Sequence, residues 1–258
     1  MRGAGLSSGL FRPFACPSTP SFPCGRRASD GRSAPVRSVR AGAFLCALAV
    51  VVPSPVAGRD PAMRVSAWRV EAESPAARVR GDGRVIDIDT PGGLTLWYPR
   101  AITGPATIAF EAMAVQASGA NDHVSDLNAF WMATDPGAPG GSPVGRRSGK
   151  FEAYDTLLTY YVGIGGNRNT STRMRRYVGR PGDRPLLPQH DRADAPALLV
   201  PNRWTRIRLI ADGSRIAVER DGATLFTLTD AAPYARGWFG LRTTASHLRI
   251  RRVRITHP

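Results

Sequence analysis

The chain has 258 residues and carries 35 Lys and Arg against 20 Asp and Glu, a formal net charge of +15, with 42% apolar residues, 27 glycines and 22 prolines. That apolar fraction suffices for a packed core, which excludes disorder of the whole chain, and so much glycine and proline excludes a helical bundle. Lys150 is the only lysine, so the arginine excess reads as coding bias before it reads as function.

Residues 1–58 hold seven arginines, one acid (Asp30) and all three cysteines, Cys16, Cys24 and Cys46. Within them residues 41–52, AGAFLCALAVVV, form an apolar run preceded by Arg37 and Arg40 and followed by the small-residue stretch PSPVAG. As a helix this run reaches about 18 Å, too short for a hydrocarbon core of about 30 Å. A basic flank, a short apolar run and a small-residue exit predict a secretory signal peptide within a leader of residues 1–60. The protein is therefore expected to be exported, to the periplasm or the outside. Residues 61–258 contain no cysteine, so no disulfide, thiolate metal site or cysteine nucleophile is expected there.

From Trp68 onwards short segments of period 2 follow one another. RVIDID (84–89) and GLTLWY (93–98) flank a PGG turn, and ATIAFEAMAV (106–115), DLNAFWMAT (126–134), DTLLTYYVG (155–163) and RMRRYVG (173–179) come next. RWTRIRLIA (203–211), RIAVER (215–220), ATLFTL (223–228), GWFGLRT (237–243) and HLRIRRVRI (247–255) complete the series, with DG turns at 212–214 and 221–222 that suit hairpins. In the last segment Leu248 and Ile250 have one parity and Val253 and Ile255 the other, so a bulge at Arg251-Arg252 would keep all four inward. The fold expected over 61–258 is a single all-β domain, an antiparallel two-sheet jelly-roll sandwich of the concanavalin A-like type. Loops at 116–125, 135–152 and 180–200 are long enough to carry function.

Three stretches could carry chemistry. NDHVSDLNAFWMATDP (121–136) puts Asn121, Asp122 and His123 on a loop entering a strand in which Asp126, Asn128 and Phe130 share one face. These polar groups either satisfy turn backbone or line a sheet face suited to sugars. YYVGIGGNRNTSTRMRRY (160–177) holds Tyr160, Tyr161, Asn167, Arg168 and Asn169, then Arg173, Arg175 and Tyr177 on one strand face with Met174, Arg176 and Val178 on the other. Such arginines either grip carboxylates in bidentate fashion or form a solvated face. PLLPQHD (185–191) sets His190 and Asp191 in a proline-stiffened loop, while His247 and His257 read as surface residues.

Several chemistries lack their pattern. No E-x-D-x-E carboxylate pair of a sandwich glycosidase occurs, Glu152 and Asp155 being the nearest approach. Residues 61–258 hold no G-x-S-x-G, and no helix-opening G-x-G-x-x-G is present, while His123 and His190 have no metal-ligand spacing.

Through GNRNTSTRMRRY (166–177), LLPQHD (186–191) and PYARGWFGLRTTASHLRI (233–250), with NDHVSDLNAFWMATDP, the sequence resembles a family of secreted bacterial proteins with a concanavalin A-like jelly roll. Members are often encoded with pectin- and rhamnogalacturonan-degrading enzymes, and the chain is more distantly similar to the YesU-like proteins of rhamnogalacturonan utilisation. The resemblance spans about Trp68 to Ile255. It implies a carbohydrate context and supplies no catalytic residues.

The expected activity is β-elimination on an acidic, uronate-containing polysaccharide or oligosaccharide. A lyase must neutralise the uronate carboxylate, remove the adjacent proton and protonate the leaving oxygen. Arg168, Arg173 and Arg175 are the candidate neutralisers, His123 or His190 the base, and Tyr160 or Tyr161 the acid. Asn121, Asp126, Asn128, Asn167, Asn169 and Tyr177 are the remaining candidate substrate contacts. No cofactor or metal, and no nucleic-acid or membrane partner, is expected. The alternatives are a non-catalytic carbohydrate-binding protein and a glycoside hydrolase using Asp122 or Asp126.

Overall fold

The structure is a computed structural model, described here over residues 61–258. The expected leader, its apolar run at 41–52 and the three cysteines lie outside these residues. The strands in chain order are β1 (Arg69–Ala72), β2 (Arg78–Gly81), β3 (Val85–Trp97), β4 (Ile102–Thr103), β5 (Ala106–Ala114), β6 (Leu127–Thr134) and β7 (Leu158–Gly165). They continue as β8 (Ser171–Val178), β9 (Asp191–Arg192), β10 (Thr205–Asp212), β11 (Arg215–Arg220), β12 (Ala223–Thr229) and β13 (Arg236–Thr256).

All pairings are antiparallel, in the order β12-β11-β10-β5-β13-β6-β7-β8-β9, with β3 alongside β13 and β1 and β2 alongside β3. The hinge of this curled sheet is the 21-residue β13. Its first part pairs with β6 and its second with β5, so one strand serves both layers. Between the two parts the register shifts at Thr244–Ser246, where Ala245 has φ of 45°.

The layers meet over one apolar core. Ile108, Phe110, Ile207, Leu209, Ile216 and Val218 face Trp131, Val162, Ile164 and Met174 within it. Period-2 patterning puts these residues on the inner faces, as expected of an all-β jelly-roll sandwich. The bulge at Arg251-Arg252 is present: the β13–β5 register shifts between Arg251 and Arg254, and Arg252 takes φ of 56°. Leu248, Ile250 and Val253 are consequently all buried, with Ile255 packed against them.

The PGG at 91–93 does not reverse the chain; β3 continues through it with an irregularity in its pairing to β13, between Thr90 and Gly93. The glycine serves close approach instead, since a Cβ on Gly93 would lie 2.3 Å from the Gly149 carbonyl oxygen. Strand propensity on either side carries the ladder across, and the bare backbone admits the loop above it.

A second cluster lies on the outer face of the β6–β8 layer, where Trp97, Phe130, Tyr154, Tyr161, Tyr177 and Trp238 pack together beneath the 135–157 region. Glu71 pins this cover. Its buried carboxylate accepts from Trp97 Nε1 at 2.8 Å, Tyr154 Oη at 2.8 Å, and the Arg146 and Arg147 amides at 2.7 and 3.0 Å. A buried carboxylate is tolerable only with its lone pairs satisfied in this way.

Candidate functional site

Strand register builds the site row by row. Thr95, Arg242, Asn128, Gly163, Arg173 and Asp191 stand opposite one another across β3, β13, β6, β7, β8 and β9. Two residues along, on the same face, the next row reads Trp97, Gly240, Phe130, Tyr161 and Arg175. Alternation along each strand brings both rows to the outer face of this layer. At one end the aromatics fill that face. At the other it opens as a depression of about 920 Å³.

Gly163 shapes the floor. A Cβ there would lie 2.7 Å from Tyr161 Oη and 3.0 Å from Asn128 Oδ1, so its absence is what lets both oxygens pack against this strand. Asn128 is buried and its Oδ1 has no hydrogen-bond partner among the described residues. Tyr161 Oη also makes no hydrogen bond there, while its ring is braced by Phe130 at 5.2 Å, Phe151 at 5.6 Å and Tyr177 at 5.6 Å between centroids. Burial pushes the Tyr161 hydroxyl far above its usual range, with the neighbouring Tyr177 and Asp126 adding to the effect. It is a proton donor at any physiological pH.

The walls are cationic. Arg173 Nε donates to Asp191 Oδ1 at 2.8 Å. Arg175 uses one guanidinium nitrogen on the Arg184 carbonyl, and neither Arg175 nor Arg168 forms an ion pair among the described residues. Arg242 lies beneath, almost fully buried. It donates to Thr95 Oγ1 at 3.1 Å and the Gly149 carbonyl at 2.8 Å, with the Phe151 and Tyr154 rings about its guanidinium at 5.1 and 5.0 Å. It forms no ion pair among the described residues. The acid nearest the floor, Asp126, is pushed upward by burial, which outweighs its bonds from Ser125 and Asn128, so it opposes an anion less than an ordinary aspartate would.

Arg168 sits on the β7–β8 turn, which is wound left-handed: Asn167, Arg168 and Asn169 have φ of 53°, 57° and 61°. Asparagine tolerates that region, arginine much less. The turn is tied down on three sides, by Arg168 N on Ser125 Oγ at 3.2 Å, Asn167 Nδ2 on Ser171 Oγ at 3.2 Å, and Asn169 bonded both ways to the Leu199 backbone at 3.0 and 2.8 Å.

Of the residues singled out in the sequence, His123, Tyr161, Arg168, Asp126, Asn128, Asn167, Asn169, Arg173 and Arg175 all border the depression. Four do not. Tyr160 points to the opposite face, packs on Trp131, and donates to Asp230 Oδ2 at 2.6 Å. Strand parity separates it from Tyr161 and removes it as the acid. His190 is buried in a tight turn, edge-on to Phe226, its Nε2 donating to the Thr227 carbonyl at 2.9 Å, so it is not a base for this site. Tyr177 shares the face of Arg173 and Arg175 as parity requires, but it lies under the aromatic cluster, fully buried. Asn121 turns away to donate to Asp89 Oδ1 at 2.7 Å.

Asp122 is also committed, accepting from His247 Nδ1 at 2.7 Å and the Gly119 amide at 2.8 Å; the His247 bond above all holds its carboxyl below the usual range. His247 is thus no free surface residue, since its Nε2 meets Asp87 Oδ2 at 3.1 Å. Arg242 and Gly163 were not singled out in the sequence. Their parity with Asn128 and Arg173 was the available signal, and it needed the strand register to be read.

These features define a jelly-roll protein whose β6–β8 layer carries an open, arginine-walled depression. The chain belongs to a domain family of unknown function, DUF6250, matched over residues 88–253. Among solved structures it is similar to a protein of unknown function with a galectin-like fold from Bacillus subtilis, at 13% identity and a TM-score of 0.57, over 75% of this chain and 90% of that one. It is also similar to the Emp46p carbohydrate recognition domain. The potassium-bound form matches at 12% identity and a TM-score of 0.51 over 76% of this chain and 91% of that one. The metal-free form matches at 14% and 0.50 over 74% and 90%. At these identities the likeness is one of fold. No curated protein matches the sequence.

Proposed function

We propose that the protein is exported and that its depression binds an anionic carbohydrate, a uronate-containing polysaccharide or oligosaccharide. The observation that carries the reading is the convergence of Arg168 and Arg175, neither ion-paired among the described residues, on a depression lined by Tyr161, whose Oη makes no hydrogen bond among them, with the buried Asn128 Oδ1 likewise unpartnered there. A sugar acid supplies what that lining lacks: a hydroxyl for Tyr161 Oη and a carboxylate for the guanidinium groups. The Phe151 and Tyr161 rings offer apolar surface beside them. The sandwich shared with a carbohydrate recognition domain is consistent with this use of the fold.

Titration calorimetry against polygalacturonate, rhamnogalacturonan, alginate and glucuronan, with neutral glucans as controls, tests the reading. Binding should be confined to the acidic polymers, weaken with salt, and fall about tenfold in Arg175→Ala. Equal binding of neutral polymers, or none of the acidic ones, would overturn it.

A second reading, β-elimination, is favoured by the protonated Tyr161 hydroxyl standing on the same row as Arg175. There Arg175 and Arg168 would neutralise the uronate carboxylate, His123 on the wall would take the adjacent proton, and Tyr161 would give one to the leaving oxygen. Release of unsaturated uronate ends, followed by ultraviolet absorbance and abolished in Tyr161→Phe with binding retained, supports turnover. Binding without such ends leaves the protein a binding module, and saturated reducing ends would point to hydrolysis.

A further inference from the structure

We propose that His247 is a positioning residue, a protonation-dependent clasp that holds the loop 116–126 against the sheet and so sets one wall of the depression. That loop supplies Asp122, His123, Val124, Ser125 and Asp126 to the lining. Its tip is fastened to the sheet at two points, Asp122 on His247 and Asn121 on Asp89. His247 comes from β13 and bridges two elements, with Nδ1 2.7 Å from Asp122 Oδ1 on the loop and Nε2 3.1 Å from Asp87 Oδ2 on β3.

Both partners are carboxylates, which only accept, so both contacts are hydrogen bonds only when the ring carries two N–H groups. A neutral imidazole keeps one of them and turns a lone pair toward the other carboxylate. The charges around the ring come from three strands and the loop. Asp87 and Asp89 face it from β3, Asp89 directly opposite in register, and Asp122 faces it from the loop. Arg249, on the same strand as His247, donates to Asp87 at 3.0 Å, and Arg78 and Arg80 stand opposite Asp89 and Asp87 on β2.

Burial alone would lower the imidazole, but the bonds to Asp122 and Asp87 outweigh it and hold His247 above its ordinary 6.5. The clasp is therefore complete below that value and is lost as pH rises through the higher, folded one.

The loop readout needs no ligand; the consequence for affinity rests on the carbohydrate-binding reading above. Amide hydrogen exchange of residues 117–126, corrected for intrinsic rates and followed from about pH 5 to about pH 9 across the imidazole range, should show opening that rises on the order of tenfold. His247→Gln and Asp122→Asn should abolish the transition, leaving opening flat with pH, while His123→Ala keeps it. Urea unfolding of each variant separates local opening from global loss. If a variant fails to fold, the imidazole titration of His247 by NMR in the wild-type chain decides, and a midpoint at or below 6.5 overturns the clasp. So does a transition that survives in His247→Gln. In parallel, polygalacturonate affinity should weaken over the same interval. A loop transition with no polygalacturonate bound at any pH would overturn the binding reading and leave the clasp standing.

Discussion

Replacing Arg168 by glycine sets stability against binding. In the native turn Arg168 holds φ of 57° and ψ of 48°, a region that costs a non-glycine residue roughly 1–2 kcal/mol. Glycine removes that cost but gives back roughly 0.5–1 kcal/mol in unfolded-state entropy. Among the described residues the side chain forms no ion pair to offset its strain, and the ties of this turn are made by the backbone of 168 and the side chains of 167 and 169. Arg168→Gly should therefore stabilise the protein by about 0.5–1 kcal/mol, or about 1–4 °C in melting temperature for a domain of this size. It should at the same time weaken binding of an acidic glycan about tenfold. Arg168→Asn, which tolerates the same backbone, should behave alike. Thermal unfolding by circular dichroism and calorimetric titration of the same samples measure both halves. A melting temperature that falls, or an affinity that does not, would refute the reasoning that strain here is retained for the sake of the guanidinium.

Glu71→Ala should cost about 3–5 kcal/mol in urea unfolding, because the donors from Trp97 and Tyr154 stay buried without an acceptor; a loss below about 1 kcal/mol would mean that the cover over the aromatic cluster is held otherwise. Tyr177→Phe removes a buried hydroxyl with no hydrogen-bond partner among the described residues and should be neutral or stabilising by up to about 1 kcal/mol, with a clear destabilisation counting against that geometry. On the acid side, burial acts to raise Asp230, but the bonds from Tyr160 and Arg176 prevail and hold it below 3.8. Its contribution is present above 3.8 and is lost as pH falls through the lower, folded value. Wild-type unfolding free energy should decline there, and Asp230→Asn, less stable at neutral pH, should show a shallower decline.

The strands were legible because inner and outer residues alternate, and even the bulge in β13 announced itself through the parity change between Ile250 and Val253. The PGG at 91–93 misled for the same reason that it usually informs. Glycine permits a turn but equally permits a neighbour to come close, and composition does not say which. At the site, parity placed Arg173 and Arg175 together correctly but could not choose between Tyr160 and Tyr161, since both phases of that strand are apolar. The β6–β7 register, pairing Tyr161 with Phe130 and Tyr160 with Trp131, makes the choice. Tyr177 shows the limit of face arguments: it is on the right face, yet a segment distant in sequence covers it. His190 and His247 exchange their expected characters because a histidine's surroundings depend on contacts 37 and 125 residues away, with Thr227 and Asp122.

The double service of β13 bears on how the chain reaches this state. Its partners β3, β4, β5 and β6 all precede it in sequence, so during synthesis the sheet edges it will seal stand open until residues 236–256 emerge. Interrupting the chain before that point would yield no smaller stable unit, only two half-layers with unpaired edges and an uncovered apolar face. Closure is a late and highly non-local event, which favours slow folding and leaves strand edges open to wrong pairing until it is complete.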